Sequence, residues 1–129
     1  MKQINVVIID DEPIAIEVIK ELVIHLTTDV RVVGTATNGV DAVQKIVSLK
    51  PDLIFMDVDM PLMNGIEVLK KFPARQFEII FTTGYESKEL KKVAHEAFAY
   101  LLKPIDPDEF TTTVEKARKK LETGKPEQP

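Results

Sequence analysis

The segment Leu53–Met56 (LIFM) has no polar face, and it delivers an acid, Asp57, at its end. A strand that is apolar on both sides must be covered on both sides, as in the centre of a parallel sheet flanked by helices. Ile4–Ile9 (INVVII) reads the same way and runs into Asp10-Asp11-Glu12. Three further short runs, Arg31–Thr35, Phe77–Phe81 and Ala99–Leu102, are also predicted as strands. An acid at the end of a buried strand is costly unless something pairs with it. The rest of the sequence can be read for the partners of Asp57.

Helical periodicity fills the intervals between the strands. Pro13 suits the first turn of a helix capped by Asp11 or Glu12, with Ala15, Ile19, Leu22 and Leu26 predicted to face the sheet. Asn38 is placed to cap the next helix, with Asp41 as a weaker form of the capping box and Val43, Ile46 and Val47 as its predicted buried side. A short helix, Gly65–Phe72, turns Ile66 and Leu69 inward and is stopped by Pro73. Ser87–Ala97 is predicted as a fourth helix, with Leu90, Val93 and Ala97 on one side. Asp106 caps the last helix, where Asp108 and Glu109 suit the helix dipole and Phe110, Val114, Ala117 and Leu121 form the core stripe. Five strands alternating with five helices predict an α/β fold, a doubly wound five-stranded parallel sheet with right-handed crossovers. Periodicity leaves the strand order open; the flavodoxin-like order 2-1-3-4-5 is one option. Residues 1–122 are read as the domain and 123–129 as a linker or tail, since Gly124–Pro129 has two prolines and no apolar side chain.

Composition narrows the function. The chain has 129 residues, 44% apolar and 29% charged, which suits one globular domain. A net charge of −4 argues against a nucleic-acid surface in this chain. The absence of cysteine removes disulfides, thiol nucleophiles and Cys-ligated metals, and accords with a reducing, cytoplasmic setting. No apolar run approaches the roughly 18 residues of a membrane span, and no signal peptide is evident.

Ligand sites in such sheets lie outside the carboxyl ends of the strands. There the chain places Asp10-Asp11 after strand 1, Asp57 after strand 3, Thr82-Thr83 after strand 4 and Lys103 after strand 5. Singly, these are caps and turn residues. Jointly, and with strands 1 and 3 as neighbours, they crowd three carboxylates into one spot, which calls for a cation. Mg²⁺ suits one or two carboxylates plus a phosphate, and a hydroxyl with an ammonium can bind phosphoryl oxygens. The set points to phosphoryl chemistry with Asp57 as a candidate nucleophile.

Four segments match a known family: IIDDE (Ile8–Glu12), MDVDMPLMNG (Met56–Gly65), FTTG (Phe81–Gly84) and YLLKPI (Tyr100–Ile105). On these residues the chain resembles, from Ile4 to about Leu121, the receiver domain of two-component response regulators. The resemblance implies the order 2-1-3-4-5 and Asp57 as phosphoacceptor. It implies that Asp10, Asp11, Asp57 and the backbone carbonyl of Asp59 hold Mg²⁺, and that Lys103 binds the phosphoryl oxygens. Thr83, which precedes the small Gly84, aligns with the switch hydroxyl, and Tyr100 with the aromatic switch. A cis bond between Lys103 and Pro104 is also implied. Gly84 departs from the commoner Ala. Asp59 and Tyr85 flank the path of an attacking water and are expected to tune phosphoryl lifetime.

The expected function follows. A sensor histidine kinase supplies the phosphoryl group. Thr83 and Tyr100 then re-pack the face made by the fourth helix, the fifth strand and the fifth helix, which serves as output and as a homodimer surface. AFAYLLKPIDPDEF and IIDDEP look most like receivers of LytTR-type regulators, whose C-terminal DNA-binding domain controls transcription. No such domain is present here, so the chain is read as an excised receiver or as a stand-alone one acting by protein–protein contact. Asp57-Val58-Asp59 also resembles the Asp-x-Asp of haloacid-dehalogenase-type phosphatases, although that motif normally follows the first strand. A receiver-like module that never needs phosphate is disfavoured by the complete set Asp10, Asp11, Asp57, Thr83 and Lys103. His25 and His95 are read as surface residues.

Overall fold

The computed structural model describes residues 3–85, 88, 91 and 97–123. The chain runs through β1 (Ile4–Ile9), α1 (Pro13–Leu26), β2 (Val30–Ala36), α2 (Gly39–Leu49), β3 (Leu53–Asp57), α3 (Gly65–Lys70), β4 (Glu78–Thr83), β5 (Ala99–Leu102) and a C-terminal helix (Pro107–Thr123). The predicted Ser87–Ala97 helix lies largely outside the described residues, and so does His95. All five strands are parallel in one sheet of order β2-β1-β3-β4-β5, as the resemblance implies. No helix among the described residues is long and apolar enough to cross a membrane.

Alternation along the strands sorts the core into two clusters, one on each face of the sheet. On one face Ile8, Phe55, Ile80 and Leu101 pack with Ile16, Ile19 and Val23 of α1 and with Phe110, Val114 and Ala117 of the C-terminal helix. The Phe55 and Phe110 rings stack there with centroids 5.5 Å apart. On the other face Ile9, Ile54, Met56 and Phe81 pack with Ala42 and Ile46 of α2 and with Ile66, Val68 and Leu69 of α3. The central strands therefore read as continuous apolar runs because neither face meets water.

Two predicted helix faces are corrected. In α1 the buried stripe is Ile16, Ile19 and Val23; Leu26 is exposed, and Ala15 and Leu22 are half-buried. The polar side of this helix, Glu17, Lys20, Glu21 and His25, is interrupted by exposed Ile14 and Ile24, and its apolar side is wide enough that periodicity leaves the buried line open. In α2 the buried residues are Gly39, Ala42 and Ile46, while Val47 is exposed and Val43 half-buried. Small residues win there because of close approach: a Cβ on Gly39 would stand 2.4 Å from the Met63 carbonyl oxygen. The C-terminal helix keeps its predicted stripe, and the Asp106 carboxylate accepts from the Glu109 amide at 2.9 Å. Asn38 likewise accepts from the Asp41 amide at 2.8 Å.

The corrected α1 face gives a direct test. Ile16→Ala should cost about 2–5 kcal/mol of unfolding free energy, whereas Leu26→Ala should cost less than about 1 kcal/mol. Urea denaturation of both variants checks it; equal losses would mean that the helix is docked in the other phase.

Candidate functional site

Strand alternation also builds the site. The ladder continues one residue past β1, where the Asp10 amide donates to the Ala36 carbonyl at 3.0 Å. Beyond β5 the Lys103 amide donates to the Thr83 carbonyl at 2.7 Å. Counting two residues up from Ile8, Phe55, Ile80 and Leu101 therefore reaches Asp10, Asp57, Thr82 and Lys103, all on the same side of the sheet. Parity, rather than any loop, collects these groups at the carboxyl edge.

The loop after Asp57 is tied down from both sides. The Val58 amide donates to the Thr82 carbonyl at 3.0 Å, and the Gly65 amide to the Val58 carbonyl at 2.9 Å. Asn64 and Glu67 close a reciprocal capping box that starts α3. Gly65 is required by proximity, since a Cβ there would stand 2.6 Å from the Asp57 carbonyl oxygen.

One carboxylate oxygen each of Asp10, Asp11 and Asp57 lie within 4.8 Å of one another. Asp10 and Asp57 are buried, with 0% and 5% exposure, and Asp11 is exposed. Lys103 Nζ donates to Asp10 Oδ2 at 2.8 Å and stands 3.7 Å from Asp57 Oδ1. The Glu12 amide donates to Asp10 Oδ1 at 3.0 Å and the Asp59 amide to Asp57 Oδ1 at 3.3 Å. Oxygen donors in this number suit a hard divalent cation of the Mg²⁺ class. Burial, reinforced by the Asp10 charge and opposed by Lys103, pushes the Asp57 carboxyl up to about 7. Burial alone would lower the Lys103 ammonium, but its hydrogen bond to Asp10 and the charges of Asp57 and Asp10 outweigh burial and raise it.

The structure brings Asp10, Asp11, Asp57 and Lys103 together. Thr83 stands apart from that group in its bonding. Its hydroxyl donates to the Tyr85 carbonyl at 2.7 Å and accepts from the Tyr85 amide at 3.3 Å. Tyr100 is half-buried, packs against the α2–α3 side of the core and lies in register with Phe81. The Asp59 side chain is exposed, and its amide supports Asp57. The Lys103–Pro104 bond is cis, as the resemblance implies. His25 is exposed and pairs with Glu21 at 3.1 Å, away from the acids. The sequence places Thr82 beside Thr83 at the end of strand 4 but assigns a role only to Thr83; in the fold it is Thr82 that pairs in register with Asp57, and it is 1% exposed. Spacing within each strand does not single it out, because both faces of β3 and β4 are apolar and the register between the strands decides which threonine stands beside Asp57.

Fold and site together define a doubly wound α/β protein with an acid pocket and a lysine at the switch point of its sheet. The chain belongs to the response regulator receiver domain family, whose model matches residues 6–115. It is 38% identical over 117 residues to an uncharacterized response regulatory protein of Vibrio vulnificus, covering 90% of this chain and 48% of that protein. It is 34% identical over 116 residues to the transcriptional regulatory protein BtsR of Escherichia coli, covering 89% of this chain and 48% of BtsR. The chain thus spans about half the length of the relatives it matches. Among solved structures, the response regulatory domain of MrkE from Klebsiella pneumoniae aligns with a TM-score of 0.82 at 25% identity, covering 92% of this chain and 98% of that one. The receiver domain of AraT from Geobacillus stearothermophilus aligns with a TM-score of 0.78 at 29% identity, covering 94% and 97%.

Two predictions follow from the geometry. Between the ordinary carboxylate range and about pH 7, folded Asp57 keeps a proton that the unfolded chain has released. Stability in chelator-treated buffer should therefore fall as pH rises through that window. Asp57→Asn should flatten the fall and raise the urea midpoint at about pH 8; an unaltered pH slope in Asp57→Asn would contradict this assignment. Gly65→Ala should cost about 2 kcal/mol or more, because the Asp57 backbone has to move to admit a methyl group. Calorimetry of the two proteins reads that cost.

Proposed function

We propose that this domain receives a phosphoryl group on Asp57 from a sensor histidine kinase and converts it into a change of surface. The observation that carries the reading is the buried Asp57 carboxylate set between an acid pair and Lys103. A carboxylate oxygen of Asp57 attacks phosphorus in line. The bond from phosphorus to the donor atom breaks, and its electron pair leaves with the donor. Asp10, Asp11, Asp57 and the Asp59 carbonyl are the residues that would hold Mg²⁺, which supplies charge neutralisation for the phosphoryl oxygens. Lys103 turns from Asp10 to a phosphoryl oxygen. Thr83 exchanges its bond to the Tyr85 carbonyl for one to the phosphoryl group, and its withdrawal opens space for Tyr100 to turn inward. The output face is then the region of residues 87–97, β5 and the C-terminal helix, which also serves for homodimer contact. Ile14 and Val18 of α1, exposed beside Pro107, leave an apolar surface near the acids on which a protein donor can seat. Similarity to the transcriptional regulatory protein BtsR of several bacteria supports transcription as the output, executed by a further DNA-binding domain in a cytoplasmic regulator.

The test is incubation with acetyl phosphate and Mg²⁺, followed by intact mass and sedimentation. Wild type should gain one phosphoryl group per chain and shift toward dimer, while Asp57→Ala should gain none. Lys103→Ala should label at least about tenfold more slowly through loss of a charged contact to the transition state. Labelling of Asp57→Ala at the wild-type level would remove the proposed acceptor. Continuous turnover of a phosphate ester would instead favour a phosphatase.

A further inference from the structure

A hydroxyl that no role above uses lies on the floor of the site. Thr82 is 1% exposed, and its Oγ has no hydrogen-bond partner among the described residues. Thr83, beside it, has its hydroxyl fully engaged by Tyr85. A buried hydroxyl without a partner forfeits its hydration, and valine has nearly the same shape without that cost. As a mere strand former, Thr82 is therefore a poor choice.

Its position says what the hydroxyl is for. Thr82 is the in-register neighbour of Asp57 on β3 and of Leu101 on β5. Register partners in a parallel sheet share a face and stand about 4.8 Å apart. The Thr82 side chain thus projects from the same face of the sheet as the Asp57 side chain, on the neighbouring strand. The sheet order puts β4 between β5 and β3, so the Lys103 side chain crosses β4 to bring its Nζ to 2.8 Å from Asp10 and 3.7 Å from Asp57.

We propose that Thr82 is a positioning residue for phosphoryl transfer: its hydroxyl donates to the Asp57 carboxyl oxygen that does not carry phosphorus. That bond fixes the rotation of the carboxylate, so that the other oxygen faces the incoming phosphorus, and it forms as Lys103 moves from Asp10 to the phosphoryl oxygens. The hydroxyl keeps its proton throughout. The inference rests on Asp57 being the phosphoacceptor.

Thr82→Val and Thr82→Ser test it, with wild type and Asp57→Ala alongside, by timing acetyl phosphate labelling in Mg²⁺ with intact mass and by measuring urea unfolding of the unlabelled proteins. The expected result is that Thr82→Val unfolds at the wild-type urea concentration or higher, yet labels about three- to tenfold more slowly, the effect of one neutral hydrogen bond. Thr82→Ser should restore most of the rate. Labelling of Thr82→Val at the wild-type rate would overturn the Thr82 proposal and leave the phosphoacceptor reading intact. A lower urea midpoint for Thr82→Val would show that the hydroxyl already serves the unlabelled fold, and so would also overturn it. Failure of Thr82→Ser to recover rate would assign the defect to shape and reject the hydroxyl's role. Failure of wild type to label at all would remove both readings.

Discussion

Everything at the carboxyl edge of this sheet depends on one electrostatic conflict. Asp10, Asp11 and Asp57 bring their oxygens within 4.8 Å of one another, two of the three side chains are buried, and one ammonium answers them. Lys103 sits closer to Asp10 than to Asp57. Asp57 is therefore under-compensated, and burial raises its carboxyl to about 7. A site in this condition gains free energy when a divalent cation offsets the clustered carboxylates. The conflict that costs stability is what suits the pocket to a hard cation.

The scaffold can carry that conflict because the layers beneath it are so regular. Phe55 against Phe110 on one face, and Met56 and Phe81 against α3 on the other, hold β3 and β4 rigidly up to their last residues. The Val58–Thr82 and Gly65–Val58 backbone bonds then fix the loop after Asp57, with the Asn64–Glu67 capping box closing its far end. Held groups need little reorganisation when charge develops in a transition state, and that is the main source of catalytic power in phosphoryl transfer.

Much of this was legible in the residues. The unbroken apolar runs of β1 and β3 required a covered parallel sheet, and strand ends carrying acids, hydroxyls and a lysine located the site. The helix phases were less legible. In α1, Ile14 and Ile24 interrupt the polar side formed by Glu17, Lys20, Glu21 and His25, and the wide apolar side that remains does not fix which line of it faces the sheet. In α2, Gly39 lies inward because the chain at Met63 comes too close for anything larger, and small Ala42 is buried beside it in the same helix. A hydrophobic scale assigns little weight to such small residues, although steric contact makes them decisive.

By itself the sequence determined the composition of the pocket and the spacing of its members along each strand, since a two-residue period is a property of any extended chain. It could not say which of two adjacent threonines stands beside Asp57, because that depends on the register between β3 and β4. Only the tertiary structure decided that Thr82 pairs with Asp57 while the Thr83 hydroxyl turns to Tyr85. It also decided that Lys103, distant in the chain, leans on Asp10. Register and charge pairing across a sheet are set by side chains meeting from different strands, and no local pattern contains them.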